Sequence, residues 1–178
     1  MARPVVLYLA ISLDGYLAGP DGEVDWLAGE DPHYPGDLGY DDFFRQVDTI
    51  LMGRTTYDQL VSQLSPDRWP YPGRTTIVFT HRPLPGSREL QFTAESPAAV
   101  VERLRREEGG VIWICGGASL AGQLARAGLI DRYQLAILPC LQGEGIPLFS
   151  GQFPPSLLHL EACRQENGVL LCTYSPRQ

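Results

Sequence analysis

The sequence predicts an α/β fold built on a mainly parallel sheet, with helices on both faces and antiparallel strands at the C-terminal end. Strand-length apolar runs alternate with segments of helical period, which implies right-handed crossovers and a parallel sheet. The apolar runs after Asp131 follow one another without a helical pattern, so the chain should finish in antiparallel pairing. At 178 residues, 44% hydrophobic and 20% charged, with no internal repeat or linker, residues 1–178 are expected to form one domain.

The elements follow in order. "PVVLYLAI" reads as a strand, "DDFFRQV" as a short helix and "DTILMG" as a strand. "RTTYDQLVSQL" reads as a helix burying Tyr57, Leu60, Val61 and Leu64, and "TTIVFT" as the next strand. A Pro- and Gly-rich loop leads to Ser96, which can cap a helix with Pro97 at its first position. Val100, Val101 and Leu104 form its buried stripe, and Gly109-Gly110 stop it. "GVIWIC" is a strand, and "GGASLAGQLARAG" starts a helix at Gly116-Gly117. "RYQLAILPCL", "LHLEACRQ" and "GVLLCTYS" complete the sheet.

Composition narrows the function classes. A net charge of -7 without a basic cluster argues against nucleic acid as a partner and favours small molecules. All 14 basic residues are arginine, which excludes a Schiff-base lysine and a P-loop. The N-terminal run is read as a strand, neither a signal peptide nor a membrane span. The four cysteines have no CxxC spacing and the histidines do not cluster with them, so no metal site and a reduced, cytoplasmic chain are expected. Asn167-Gly168 is a two-residue hairpin signal that sets Cys163 opposite Cys172, either as a disulfide or as two small apolar side chains.

In an open parallel sheet, ligands bind beyond the carboxyl ends of the strands. Three such loops carry suitable chemistry. In "LMGRTTYD", Gly53 allows close backbone approach, Arg54 offers a donor fork, and the Thr55 and Thr56 hydroxyls can cap a helix or meet a phosphate. In "VFTHRPLPG", Thr80, His81 and Arg82 suit an anionic group, although a solvated polar turn before Pro83 explains them as well. At Gly116-Gly117 backbone amides and a helix dipole make an anion site, although close helix packing explains the pair as well.

Together, "YLAISLDGYLAG", "ILMGRTTYD", "IVFTHRP" and "IWICGGASLAGQLARAGLIDRYQLAILPCLQGEGIPLF" resemble the dihydrofolate reductase-like superfamily, in particular the branch of the riboflavin-biosynthesis reductase domain and its stand-alone relatives. The resemblance spans nearly the whole chain. It implies a three-layer fold that binds NADPH across the strand ends. Gly53, Arg54, Thr55 and Thr56 match the motif at the adenosine end and its phosphates. Thr80, His81 and Arg82 match the segment around the 2′-phosphate. Cys115, Gly116, Gly117, Ala118, Ser119, Leu120 and Gln123 match the turn beneath the pyrophosphate and nicotinamide. Ala10 and the segment from Asp14 to Gly19 match the strand and loop that close over the nicotinamide; the alternative for Asp14-Gly15 is a plain turn.

On the substrate side the resemblance implies an acid and an aromatic residue on the helix after the first loop. "GYDDFFRQV" offers Asp41 or Asp42 with Phe43 or Phe44, of which we take Asp41 and Phe44; an acidic helix N-terminus is the alternative. Trp26 and the Trp69 loop would exclude water. Two departures stand out. The family's phosphoribosyl-binding segment is replaced by "GRTTYDQLVSQL", and Ala118, Ala121 and Ala136 occupy positions where dihydrofolate reductases carry a third glycine, an aromatic and a threonine. The expectation is an NADPH-dependent reductase acting on a C=N or C=O of a small heterocycle, the pathway's 5-amino-6-(5-phosphoribosylamino)uracil reductase being the nearest family activity. The branch also implies a homodimer. The alternatives are an NADP(H)-binding module without turnover and a dihydrofolate reductase proper.

Overall fold

A computed structural model describes residues 2–82 and 84–177, so Pro83 of the "THRP" motif lies outside the described residues. Among the described residues ten strands and four α-helices run in the order β1 (Val5–Ser12), β2 (Tyr16–Ala18), α1 (Tyr40–Phe44), β3 (Val47–Gly53), α2 (Arg54–Gln59), β4 (Thr75–Phe79), β5 (Leu90–Thr93), α3 (Pro97–Leu104), β6 (Val111–Gly116), α4 (Ala118–Arg126), β7 (Arg132–Leu138), β8 (Ile146–Pro147), β9 (Leu158–Glu166) and β10 (Val169–Pro176). Eight of the strands form one sheet in the order β5-β4-β3-β6-β1-β7-β10-β9, and β2 pairs with β8 beside it. Pairings from β5 through β7 are parallel, and those of β10 with β7 and β9 are antiparallel, as the pattern predicts.

The period-2 alternation of each strand supplies two cores. On one face Leu7, Leu51, Ile77, Ile112 and Ile114 meet Val100, Val101 and Leu104 of α3 and Leu120 and Leu124 of α4. On the other, Val6, Ile50, Met52, Val78 and Trp113 meet Phe43 of α1 and Leu60. Ser96 caps α3 as expected, its hydroxyl accepting the Ala99 amide at 3.3 Å.

Two expectations are corrected. The segment after α2 widens into a π-helical turn, Leu60–Leu64, closed by the Ser65 amide donating to the Leu60 carbonyl at 2.8 Å. The extra residue in that turn rotates the following side chains off the core face. Leu60 is buried, but Val61 and Leu64 are exposed. The stretch before Ser96 also contains an edge strand, β5, rather than loop alone.

At the amino ends of the strands, buried Arg3 pairs with Asp48, donates to Thr49 Oγ1 at 2.8 Å and donates to the Gly110 carbonyl at 3.1 Å. At the terminal hairpin, Asn167 and Gly168 both take positive φ, and Cys172 sits opposite Cys163. The two thiols are free, with their sulfurs 3.1 Å apart.

Candidate functional site

A cleft of about 780 Å³ opens at the carboxyl ends of the parallel strands. Each contributing loop is placed there by the strand preceding it. Leu9 and Ala10 come from β1, Gly53 to Thr56 from the β3–α2 junction, Thr80 and His81 from the end of β4, and Cys115 to Leu120 with Gln123 from the β6–α4 junction. The three loops singled out from sequence therefore meet in one place.

The glycines explain how they meet. A Cβ on Gly116 would lie 2.8 Å from Thr56 Cγ2, so only glycine lets the β6–α4 turn close on Thr56. Gly117 has φ +93°, a left-handed conformation that side chains rarely adopt, and a Cβ there would lie 3.6 Å from Thr56 Oγ1 and 3.7 Å from the Gly53 amide nitrogen. Gly117 precedes α4 with no side-chain cap, so the first amides of this nine-residue helix have no side-chain acceptor at the cleft floor. Gly53 likewise precedes α2 without a side-chain cap. This is the donor set that a pyrophosphate needs, and the residues fit a dinucleotide.

Arg54 is held in position by Asp58, which accepts from its Nε at 2.8 and 2.9 Å, while its Nη1 donates to the Arg82 carbonyl at 3.3 Å. Thr80 Oγ1 accepts the Arg82 amide at 3.1 Å. Arg82 itself is exposed beyond the cleft lining. Gln123 donates to Ser119 Oγ at 3.2 Å, ordering the first turn of α4. The Cys115 thiol lies 3.4 Å from the Tyr71 hydroxyl, and burial pushes it up to about 12, so it is a neutral group on the cleft wall.

Other candidates lie elsewhere. Asp14 takes the Ser12 hydroxyl at 2.6 Å and the Gly143 and Gln142 amides at 2.8 and 3.1 Å, which clasps the β1–β2 turn to the β7–β8 loop. These bonds, the Ser12 hydroxyl first, hold its carboxyl down at about 2. The Gly19 amide donates to the Glu23 carbonyl at 2.9 Å within the loop after β2, and Gly19 is outside the lining. Trp26 donates to the Glu23 carbonyl at 3.2 Å, also outside it.

Asp41 is exposed on α1 and does not reach the cleft; its amide is capped by Asp37 at 2.7 Å. Phe44 stacks on Tyr40 with centroids 5.5 Å apart, under the Arg74 guanidinium. Asp42 pairs with Arg45 and borders a separate cavity of about 270 Å³, together with Ala136 and Cys172. Ala121 is fully buried on the core face of α4.

Leu17 and Ala18, in the Asp14–Gly19 segment expected to close over the cofactor, line the cleft; the sequence did not single out Val24, Leu27, Gln59 and Leu64 as lining residues, nor the segment Thr93 to Pro97. The last was legible in principle, because "LQFT" alternates and "ESP" is a helix start, which together put a strand end there.

The sheet order, with the cleft at its carboxyl edge, is that of a dihydrofolate reductase-like fold. Dihydrofolate reductase from Enterococcus faecalis, solved with NADP(H) and RAB-propyl, superposes with a TM-score of 0.66 over 100% of both chains at 18% identity. A putative riboflavin biosynthesis protein from Shewanella sp. PV-4 gives 0.85 over 100% of both chains at 24% identity. Residues 3–171 match the RibD C-terminal domain, and the chain belongs to that family, which is of reductase type. The uncharacterized protein YwjB of Bacillus subtilis is 40% identical over 93% of each chain.

Proposed function

We propose that the protein is an NADPH-dependent reductase delivering hydride to a C=N or C=O of a small heterocyclic compound. The observation that carries this is the convergence of Gly53–Thr56, Thr80–His81 and Gly116–Ser119 on one cleft, with the uncapped amides of α4 beneath it. Arg54 and His81 stand together at one end and supply positive character for a 2′-phosphate, with Arg82 beside them at the rim. Bound there, the cofactor would supply the hydride from its nicotinamide C4. The chain's part is to hold the pyrophosphate on the α4 amides and Thr56, to set the ring against Ala10 and Ala18, and to exclude water with Val24 and Leu27.

A second reading, an NADP(H)-binding module without turnover, draws on one observation: Asp41 stands outside the cleft, and Glu95, the one carboxylate among the described lining residues, is paired with Arg103 at 2.9 Å. NADPH titration followed by nicotinamide fluorescence tests both readings, and absence of binding at millimolar cofactor sinks both. NADPH consumption with pterins, aminopyrimidines or small carbonyls separates them. The reading includes a homodimer, supported by exposed Leu157, Leu160 and Leu170 on and beside the terminal hairpin.

A further inference from the structure

The cleft is chemically graded across the sheet. Its basic and acidic lining residues Arg54, His81 and Glu95 follow β3, β4 and β5, on one side of the strand order. Toward β1 and the β2–β8 pair the described lining carries no charged side chain; Leu17, Val24, Leu27 and Ile146 face the space there, and Gln59 and Leu64, from the turns that follow Arg54, line it as well. Gln59 donates through Nε2 to the Gly22 carbonyl at 2.6 Å, which ties down the loop that brings Val24 and Leu27 over the cleft and leaves Oε1 as an acceptor. Leu27 and Leu64 are 44% and 56% exposed, large apolar side chains at the cleft lip that a bound ring would cover.

From this grading we infer that the reducible substrate is an uncharged ring or carbonyl compound without phosphate or carboxylate, selected by Leu17, Val24, Leu27 and Leu64. The inference rests on the proposed reading, in which the Arg54–His81 side takes NADPH. An anionic substituent on the other side would be desolvated with no cation to meet it, because the basic lining residues Arg54 and His81 stand on the cofactor side. Burial of an uncharged ring against four aliphatic side chains is favourable without any such partner. Cys115, neutral on the wall, adds no charge.

The test uses the full chain saturated with NADPH, once cofactor fluorescence has shown that NADPH binds. Matched pairs are titrated: 6-methyl-7,8-dihydropterin against dihydrofolate, and 5,6-diaminouracil against its phosphoribosylamino counterpart. The uncharged member of each pair should bind at least about tenfold more tightly. In Leu64→Arg, which alters an exposed position and leaves the fold intact, the preference should shrink or reverse. Equal or tighter binding of the anionic members overturns the inference, as does failure of both uncharged members to bind. If NADPH itself does not bind, the proposed reading falls. The grading is then judged alone by displacement of Nile red from the cofactor-free protein with the same pairs, where equal displacement overturns it.

Discussion

Strand β6 has a Gly-Gly pair at each end, and the same dipeptide serves two different purposes. At the amino end, a Cβ on Gly109 would lie 2.5 Å from Asp48 Oδ2, and one on Gly110 would lie 2.5 Å from the Gln46 carbonyl oxygen. There glycine makes room for an ion pair and a neighbouring strand, and the Gly110 amide donates to Asp48. At the carboxyl end, Gly116 makes room for Thr56 and Gly117 turns the backbone so that α4 begins at a cleft. One pair stabilises, whereas the other shapes a surface for a ligand, and the difference follows from which end of a parallel strand each occupies.

The largest effect that would break this contrast is on stability. In Gly110→Val the new side chain meets backbone that cannot swing away, so denaturant unfolding should show a loss of about 3 kcal/mol, with NADPH affinity unchanged in the folded fraction. A loss of cofactor affinity at unchanged stability would abolish the distinction. Gly117→Val should behave in the opposite way. The strained φ costs about 1 kcal/mol of stability, while NADPH dissociation should rise roughly tenfold or more as the turn beneath the phosphates shifts.

These two pairs also mark what the sequence discloses. Both glycine pairs are visible in it, and the alternation of strands and helices predicts that one lies at each end of β6. What it does not disclose is which neighbour each glycine admits, since Thr56, Gln46 and Asp48 come from elsewhere in the chain. Strands β2 and β8 were illegible for a related reason: runs of three and two residues carry too little periodicity, and pairing rather than pattern creates them. The lip residues Leu27 and Leu64 were hidden differently. Leu64 fits a buried helical stripe until the π-helical turn rotates it outward, and Leu27 lies in a loop whose course is set by the Gln59 hydrogen bond. Asp41 was legible as an acid at a helix start, but the helix is one turn and a half long and presents that acid to solvent, not to the cleft.

The cleft end of the comparison is sharpened by Arg54→Gln. Because Asp58 already neutralises part of the guanidinium, the expected loss is about 1 kcal/mol of NADPH affinity, roughly fivefold, with NADH nearly unaffected. Equal losses for the two cofactors, measured by fluorescence titration, would remove Arg54 from the 2′-phosphate.

The smallest expected effect concerns Asp14, which clasps two loops near the cleft without lining it. Its carboxyl is held at about 2 in the folded protein, below the ordinary 3.8, so the ionised form favours folding. That contribution is complete above the unfolded value and is lost as pH falls from about 4 toward 2. Asp14→Asn keeps the side-chain shape but has no charge to lose. The stability difference between wild type and variant should therefore be constant above about pH 5 and narrow progressively below about pH 4, read from denaturant midpoints across that range. A difference that stays constant down to pH 2 would mean that the clasp does not depend on the charge. Because the group is fully exposed, the whole effect should be small beside that of Gly110→Val, as expected of a rim that shapes a ligand surface while the opposite end of the strands secures the fold.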